Sequence, residues 1–333
     1  MLTETVNGTV INAMTYDNYG NIKTKNGVAY TYGNEKWKDL LTKVGNQTIT
    51  YDTQGNPISY LGHTLTWEKG RQLKSFDSNT YTYNANGIRT SKTVNGVIHD
   101  YILDVTKILK ETWGNNVLIP LYDNEDSVCG IEYNGTAYWF YKNLQGDIIN
   151  IANADGDVLA NYNYDAWGRL CSIIDTDGNA ITDSTNIAVI NPFRYRGYYY
   201  DTEIGMYYLQ SRYYDPTVGR FINADDINYL GLALTAASYN LYTYCENDGV
   251  NFIDLFGHAP SFSTLRIMHN AVLSSAQLRL ALAGVFTSSE VLTCNSAGTY
   301  NGRMDIYSYT RNLVWEVKRN NNAGIRAGIK QLN

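Results

Sequence analysis

Residues 49–60 read ITYDTQGNPISY, and this stretch decides the fold. Apolar and aromatic positions alternate on either side of Asp52 to Asn56, the period of a strand. Gly55 stands where a short hairpin needs positive φ, and Asp52 can accept hydrogen bonds from the turn backbone. The same signature, an aromatic residue, an acid or amide, then Gly, returns along the chain. It recurs at Tyr16-Asp17 with Gly20-Asn21, Tyr83-Asn84 with Gly87, Tyr141 with Gly146-Asp147, and Tyr164-Asp165 with Gly168-Arg169. LTWEKGRQLKSF (65–76) keeps the geometry with Trp67 in the Tyr position and Gly70-Arg71 at the turn. A lone hairpin is unstable, so such units must pair into one continuous sheet. Asp17, Asp52 and Asp165 are therefore turn formers rather than catalysts. An open, curved sheet is expected.

Composition agrees with a β body. Among 333 residues there are 30 Tyr, 28 Gly and only five Pro. No run of eighteen apolar residues exists, which excludes a membrane-spanning helix. The first residues, MLTETVNGTV, lack the basic and apolar regions of a signal peptide, and Met1 opens inside a repeat. The expectation is a piece of a longer polypeptide, or export information lying elsewhere. Cys129, Cys171, Cys245 and Cys294 form no CxxC and read as free, structural residues. Net charge is −6, but from His258 onward eight basic residues face three acidic ones. A basic tail on an acidic body points to a polyanionic target for the tail.

The densest signature is NPFRYRGYYYDTEIGMYYLQSRYYDPTVGRFINADD, residues 191–226. It holds two hairpins, turning near Asp201 to Gly205 and near Asp215 to Gly219. Arg194, Arg196, Arg212 and Arg220 alternate with Tyr. That pattern fits base stacking in a nucleic-acid site or internal cation–π and Arg–Asp pairing, and the acidic neighbours favour the second. Sugar stacking by exposed Tyr is a further reading of the repeats.

This segment, with NLYTYCENDGVNFIDLFG at 240–257, resembles the core-associated region of RHS/YD-repeat proteins, of the Gram-positive wall-associated and secreted polymorphic toxin type. The resemblance covers residues 1–257. It implies YD/RHS repeats at 1–190, an RHS repeat-associated core at 191–257 and a variable toxin-like module at 258–333. The implied fold is mainly β, a curved or spiral shell fragment followed by a small α/β module. The implied biology is bacterial competition, with a shell that carries a toxin to the target-cell cytoplasm and a cognate immunity protein in the producer. The rest of a longer RHS polypeptide is a further implied partner. Many relatives release the toxin by self-cleavage after an Asp-Pro-x-Gly element, using core aspartates. The matching positions are Asp254 to Gly257, with Asp225 or Asp226 as the second carboxylate. Leu255 replaces the Pro, and His258 follows where Leu is usual.

In the tail, a helix is expected at Ser274–Phe286, strands at Met304–Tyr309 and Leu313–Lys318, and an unfinished helix from Asn322. Asp305 lies on the first strand, while Glu316 and Lys318 are two apart on the second and share a face. Two such carboxylates suit Mg²⁺, and Lys318 can stabilise developing negative charge. The set resembles the PD-(D/E)xK nucleases, although the leading Pro is absent. The resemblance implies metal binding by Asp305 and Glu316 with a helix-borne Glu290, and a supporting Gln331. Arg303, Arg319, Arg326 and Lys330 would bind the DNA or RNA backbone. Alternatives are a metal-independent RNase with His269 as base and Arg266 or Arg303 as clamp, and a secreted structural or adhesive shell fragment with an inactive tail.

Overall fold

The computed structural model describes residues 2–231, 235 and 237–258, and the backbone of four further strands between 287 and 331. The chain divides into two compact units, Met1–Ser263 and Thr264–Asn333.

The first unit is dominated by a nineteen-stranded antiparallel sheet running from Thr3–Val6 to Leu170–Ile174. Each strand pairs with the next in sequence, as at Gln47–Tyr51, Pro57–Tyr60 and His63–Glu68. Two turn types alternate. The first is the repeat turn: Asp52 Oδ1 accepts from Gln54 N at 2.8 Å and Asn56 N at 2.9 Å, and Gly55 has φ +83°. The same double acceptance occurs at Asp17, Asn84, Asp123, Asn143, Asn153, Asp165 and Asp175. The second is a two-residue turn with both φ positive, as at Asn26-Gly27, Asn95-Gly96 and Asn134-Gly135, whose twist matches the paired strands. Alternation sets most repeat turns on one rim of the sheet and most Asn-Gly turns on the other.

No backbone pairing joins the first and last strands among the described residues, so the sheet is open as a ladder. Its ends nevertheless meet through side chains. Ala166 N donates to Glu4 Oε1 at 2.8 Å, and Asn12 Nδ2 to Asp165 Oδ2 at 3.2 Å. The sheet thus curves through one full circuit.

Residues 191–258 sit against the inner face. Their strands Tyr199–Asp201, Met206–Tyr208, Tyr213–Asp215 and Arg220–Phe221 form a second antiparallel sheet, with the hairpins expected. Met206, Tyr208, Tyr213, Val218 and Ile222 share one buried cluster with repeat residues Met14, Ile22, Ile49, Leu65 and Leu73. The four interleaved arginines are all buried, in agreement with internal pairing. Arg194 packs over the Tyr162 ring and Arg220 over Tyr32. The strongest tie lies between Arg89 of the repeats and Asp201, a bidentate pair at 2.6 and 3.0 Å. Lys92 adds a bond to Asp201 at 2.8 Å, and five Tyr rings surround the Arg89 guanidinium at 4.2–6.0 Å. Residues 224–258 then cross the repeat-turn rim. Asn240 bonds Asn21, Asn247 bonds Gly20, Tyr242 bonds Gly55 and Gln145 bonds Val250.

The second unit holds an antiparallel sheet of Thr287–Cys294, Tyr300–Ser308, Leu313–Lys318 and Arg326–Gln331. The two expected strands are present and paired. Two expectations are corrected. Glu290 lies within a strand rather than at a helix end, and Arg326–Gln331 is a strand rather than a helix, so Gln331 is strand-borne. Five consecutive pairings with Leu313–Val317, and a sixth at Lys318, hold Arg326–Gln331 extended. Ser274–Phe286, the expected helix, lies outside the described residues. No described helix is long and apolar enough to cross a membrane.

Candidate functional site

The described body ends in a knot of charge around Arg212. This arginine leaves the tight turn at Gln210–Ser211 and is buried, with its guanidinium stacked 3.5 Å from the Phe221 ring centroid. Nη2 lies 3.0 Å from Asp225 Oδ2 and 3.5 Å from Asp254 Oδ2. It also donates to His258 O at 3.1 Å, while Nη1 donates to Leu241 O at 2.9 Å and Nε to Gly257 O. Burying three charges together is tolerable because each has an opposite partner and hydrogen bonds. Burial pulls Arg212 below its ordinary value, with Asp225 and Asp254 opposing.

Asp254 is 1% exposed. Its Oδ1 accepts from Phe256 N at 3.3 Å and His258 N at 2.9 Å, the turn that Asp-x-x-Gly predicts. Burial pushes this carboxyl above the usual range, against the pull of Arg212. Asp225 Oδ1 meets His258 Nδ1 at 2.7 Å, and the imidazole stacks on Tyr229 at 4.4 Å between centroids. Leu255 stands exposed in place of the expected Pro and leaves the turn intact. Gly257 has φ +75°, and a Cβ there would lie 2.5 Å from Ser211 Oγ and 2.6 Å from Leu209 O. Only Gly meets both demands.

Of the two candidate partners for Asp254, the structure selects Asp225. Asp226 points elsewhere: its carboxylate caps the turn at Asn228 and lies 3.4 Å from Arg71. Ser211 and Arg212 carry as much of this site as the aspartates do. The sequence signal for them was the SR pair inside the dense segment, read only as part of a Tyr–Arg pattern.

In the second unit, Arg303 and Asp305 lie on Tyr300–Ser308, Glu316 and Lys318 on Leu313–Lys318, and Lys330 and Gln331 on Arg326–Gln331. Lys318 pairs with Arg326 in the register, Val314 with Lys330 and Leu313 with Gln331. Arg319, Arg266 and His269 lie outside the described residues. Among the described side chains no group of three or more His, Cys, Asp or Glu could hold a metal ion. Cys129, Cys171 and Cys245 are free.

Residues 143–180 match the RHS Repeat family. The tRNA nuclease WapA of Bacillus subtilis (strain 168) is 36% identical over 268 residues, covering 75% of this chain and 11% of that protein. The tRNA3(Ser)-specific nuclease WapA of Bacillus spizizenii matches with the same identity and coverage, 36% over 268 residues. The double-stranded DNA deaminase toxin A of Burkholderia cenocepacia is 31% identical over 126 residues, 38% of this chain and 8% of that protein. An RHS repeat and WapA-like polymorphic-toxin homologues are therefore present, and the chain spans about a ninth of the length of the WapA relatives, 11%. Among solved structures, the Tc holotoxin pore of Photorhabdus luminescens superposes with a TM-score of 0.52 at 18% identity, covering 76% of this chain and 14% of that one. The TcdB2–TccC3–Cdc42 crystal structure gives 0.53 at 16% identity, covering 79% and 14%. Both are likenesses of fold.

Proposed function

We propose that this chain is the C-terminal part of an RHS polymorphic toxin used in competition between bacteria, secreted or held at the cell wall as part of a longer polypeptide. The β body carries a tail that hydrolyses nucleic-acid phosphodiesters with a divalent metal in the target-cell cytoplasm. A cognate immunity protein neutralises it in the producer. Similarity to WapA nucleases over 75% of the chain supports the toxin class. The deaminase toxin shares only 38% of the chain, so likeness to a toxin does not by itself fix the tail's chemistry.

The observation that carries the nuclease reading is strand register. Ser289 pairs with Ile306 and Val291 with Met304, so Glu290 falls opposite Asp305. Ile306 pairs with Trp315, and one more step of that register brings Asp305 opposite Glu316. Opposed positions in an antiparallel sheet lie on one face. Glu290, Asp305 and Glu316 thus form an acidic row across three strands, a hard-oxygen donor set that fits Mg²⁺. Glu290 is a better member of that row on its strand than it would be on a helix. Two residues along, the same register sets Arg303 opposite Lys318, which pairs with Arg326. A basic row beside an acidic one suits a polyanionic backbone. Bound metal would supply Lewis acidity and a more acidic water. Lys318 would balance charge that develops on the phosphate, while Arg303 and Arg326 hold the strand.

The Asp225–Arg212–Asp254 cluster is read as a self-cleavage site that frees this tail. A buried acid beside a second, arginine-paired carboxylate is the asymmetry that peptide hydrolysis by two carboxyl groups requires.

The test incubates the full chain with tRNA, other RNA or duplex DNA and Mg²⁺, with and without EDTA. Cleavage that EDTA stops, and that Glu316→Ala or Lys318→Ala lowers about 100-fold or more, supports the reading. Toxicity in recipient cells that survives Glu316→Ala would move the tail to another chemistry. Absence of both cleavage and toxicity would favour a structural or adhesive shell fragment.

A further inference from the structure

The self-cleavage reading leaves open which bond is broken and what stabilises its transition state. Both atoms that matter are held in this structure, on one peptide bond. The carbonyl oxygen of Gly257 accepts from Ser211 Oγ at 2.7 Å and from Arg212 Nε. The amide nitrogen of His258, on the other side of the same bond, donates to Asp254 Oδ1 at 2.9 Å. Ser211 Oγ also reaches Phe256 O at 2.6 Å, and Ser211 N donates to the same oxygen at 3.4 Å. The hydroxyl therefore lies between two successive carbonyls and is anchored by its own backbone. Positive φ at Gly257 turns that carbonyl toward Ser211 and leaves no room for a Cβ.

We infer that Gly257–His258 is the scissile bond, and that Ser211 with Arg212 forms the oxyanion site of the cut. This rests on the self-cleavage reading and adds to it a bond and a further catalytic residue. Water adds to the Gly257 carbonyl carbon and gives its proton to the Asp225 carboxylate. The carbonyl π electrons move onto oxygen, where Ser211 Oγ–H and Arg212 Nε–H hold the negative charge. When the C–N bond breaks, its electron pair goes to the His258 nitrogen, which takes a proton from the Asp254 carboxylic acid. The products are a Gly257 carboxylate and a free amine on His258. Two donors preset on the carbonyl are the arrangement that stabilises a tetrahedral intermediate.

The reaction needs Asp254 protonated. Facing it are Arg212, Asp225, His258, Tyr198 and Cys245. The balance raises Asp254, with burial as the main cause. Cleavage should therefore slow as pH rises through that raised value.

The experiment follows the purified full chain by intact mass and N-terminal sequencing between pH 4 and about 8, the span that brackets a raised carboxyl. The expected fragment begins at His258. Ser211→Ala should slow its release about 100-fold, and Ser211→Thr, which keeps a hydroxyl, should recover most of the rate. Asp254→Asn should abolish release. A fragment beginning at another residue, or wild-type release from Ser211→Ala, overturns the inference while self-cleavage stands. A Thr variant that melts like wild type yet cleaves as slowly as the Ala variant also overturns it. No fragment from the wild-type chain at any pH overturns both the self-cleavage reading and the inference.

Discussion

The nineteen-stranded sheet and the 191–258 segment it surrounds are both antiparallel β structure, but different interactions specify them. The sheet is specified by a turn used eight times, in which one acid or amide oxygen accepts two backbone N–H groups. Each instance is small and its neighbours compensate. The inner segment is specified by buried ionic contacts that occur once each, such as Asp201 with Arg89 and Lys92. Loss of one leaves a buried charge with no substitute. Tolerance to change should therefore be steep inside and shallow in the sheet.

The largest effect should come from Asp201→Asn. Removing one member of a buried pair costs roughly 3–5 kcal/mol, a fall in melting temperature of about 10 °C. A calorimetric shift under 2 °C would break the contrast. Acid should act on the same contact. Burial raises Asp201, but Arg89 and Lys92 outweigh it and hold the carboxyl below its ordinary value. Its contribution is thus present above the unfolded value near pH ~4 and is lost as pH falls through the lower folded one. Asp215 has the opposite sign, because burial raises it, so its contribution fades as pH rises. Urea midpoints should drop in wild type below pH about 4 and change less in Asp201→Asn.

Glycines sharpen the comparison. At Gly55 an added Cβ would strike the Tyr242 hydroxyl and lie 2.7 Å from Trp37, so Gly55→Ala should cost about 3 kcal/mol from strain and overpacking. Gly96 has similar φ and nothing within 4 Å, so Gly96→Ala should cost about 1 kcal/mol. Equal losses would show that φ alone governs these turns. The smallest change should be Asn84→Ala in one repeat turn, about 1 kcal/mol. A loss above ~3 kcal/mol would show that the repeats are not interchangeable.

The sheet was legible in sequence because strand alternation and turn chemistry are local. The turns missed were those that break the pattern. At Asp123 the usual Gly position is filled by Asp126 at φ +63°, and at Asn153 and Asp175 no Tyr immediately precedes the acid or amide. The inner segment's hairpins were also local and readable. Its partners were not: Lys25 reaches Thr217 across 192 residues, and no periodicity encodes that. At the candidate site, the Asp254 turn was readable from its spacing. The choice of Asp225 over Asp226 was not, because adjacent carboxylates are distinguished only by which one Arg212 meets. In the tail, strand pairing was readable for Leu313–Lys318, whereas Gly-rich NNNAGIRAGIK gave no clear period to separate strand from helix.

The neighbour-by-neighbour pairing of the sheet has a consequence for synthesis on the ribosome. Each hairpin can close as soon as it emerges, since its partner is the strand just made. Arg89, however, is translated 112 residues before Asp201. For that interval the nascent barrel wall carries an uncompensated guanidinium and a lining of Tyr with nothing to pack on. Completion of residues 191–258 is then the step that converts a wetted, provisional enclosure into a finished one, and a stall before it should leave a species prone to chaperone capture.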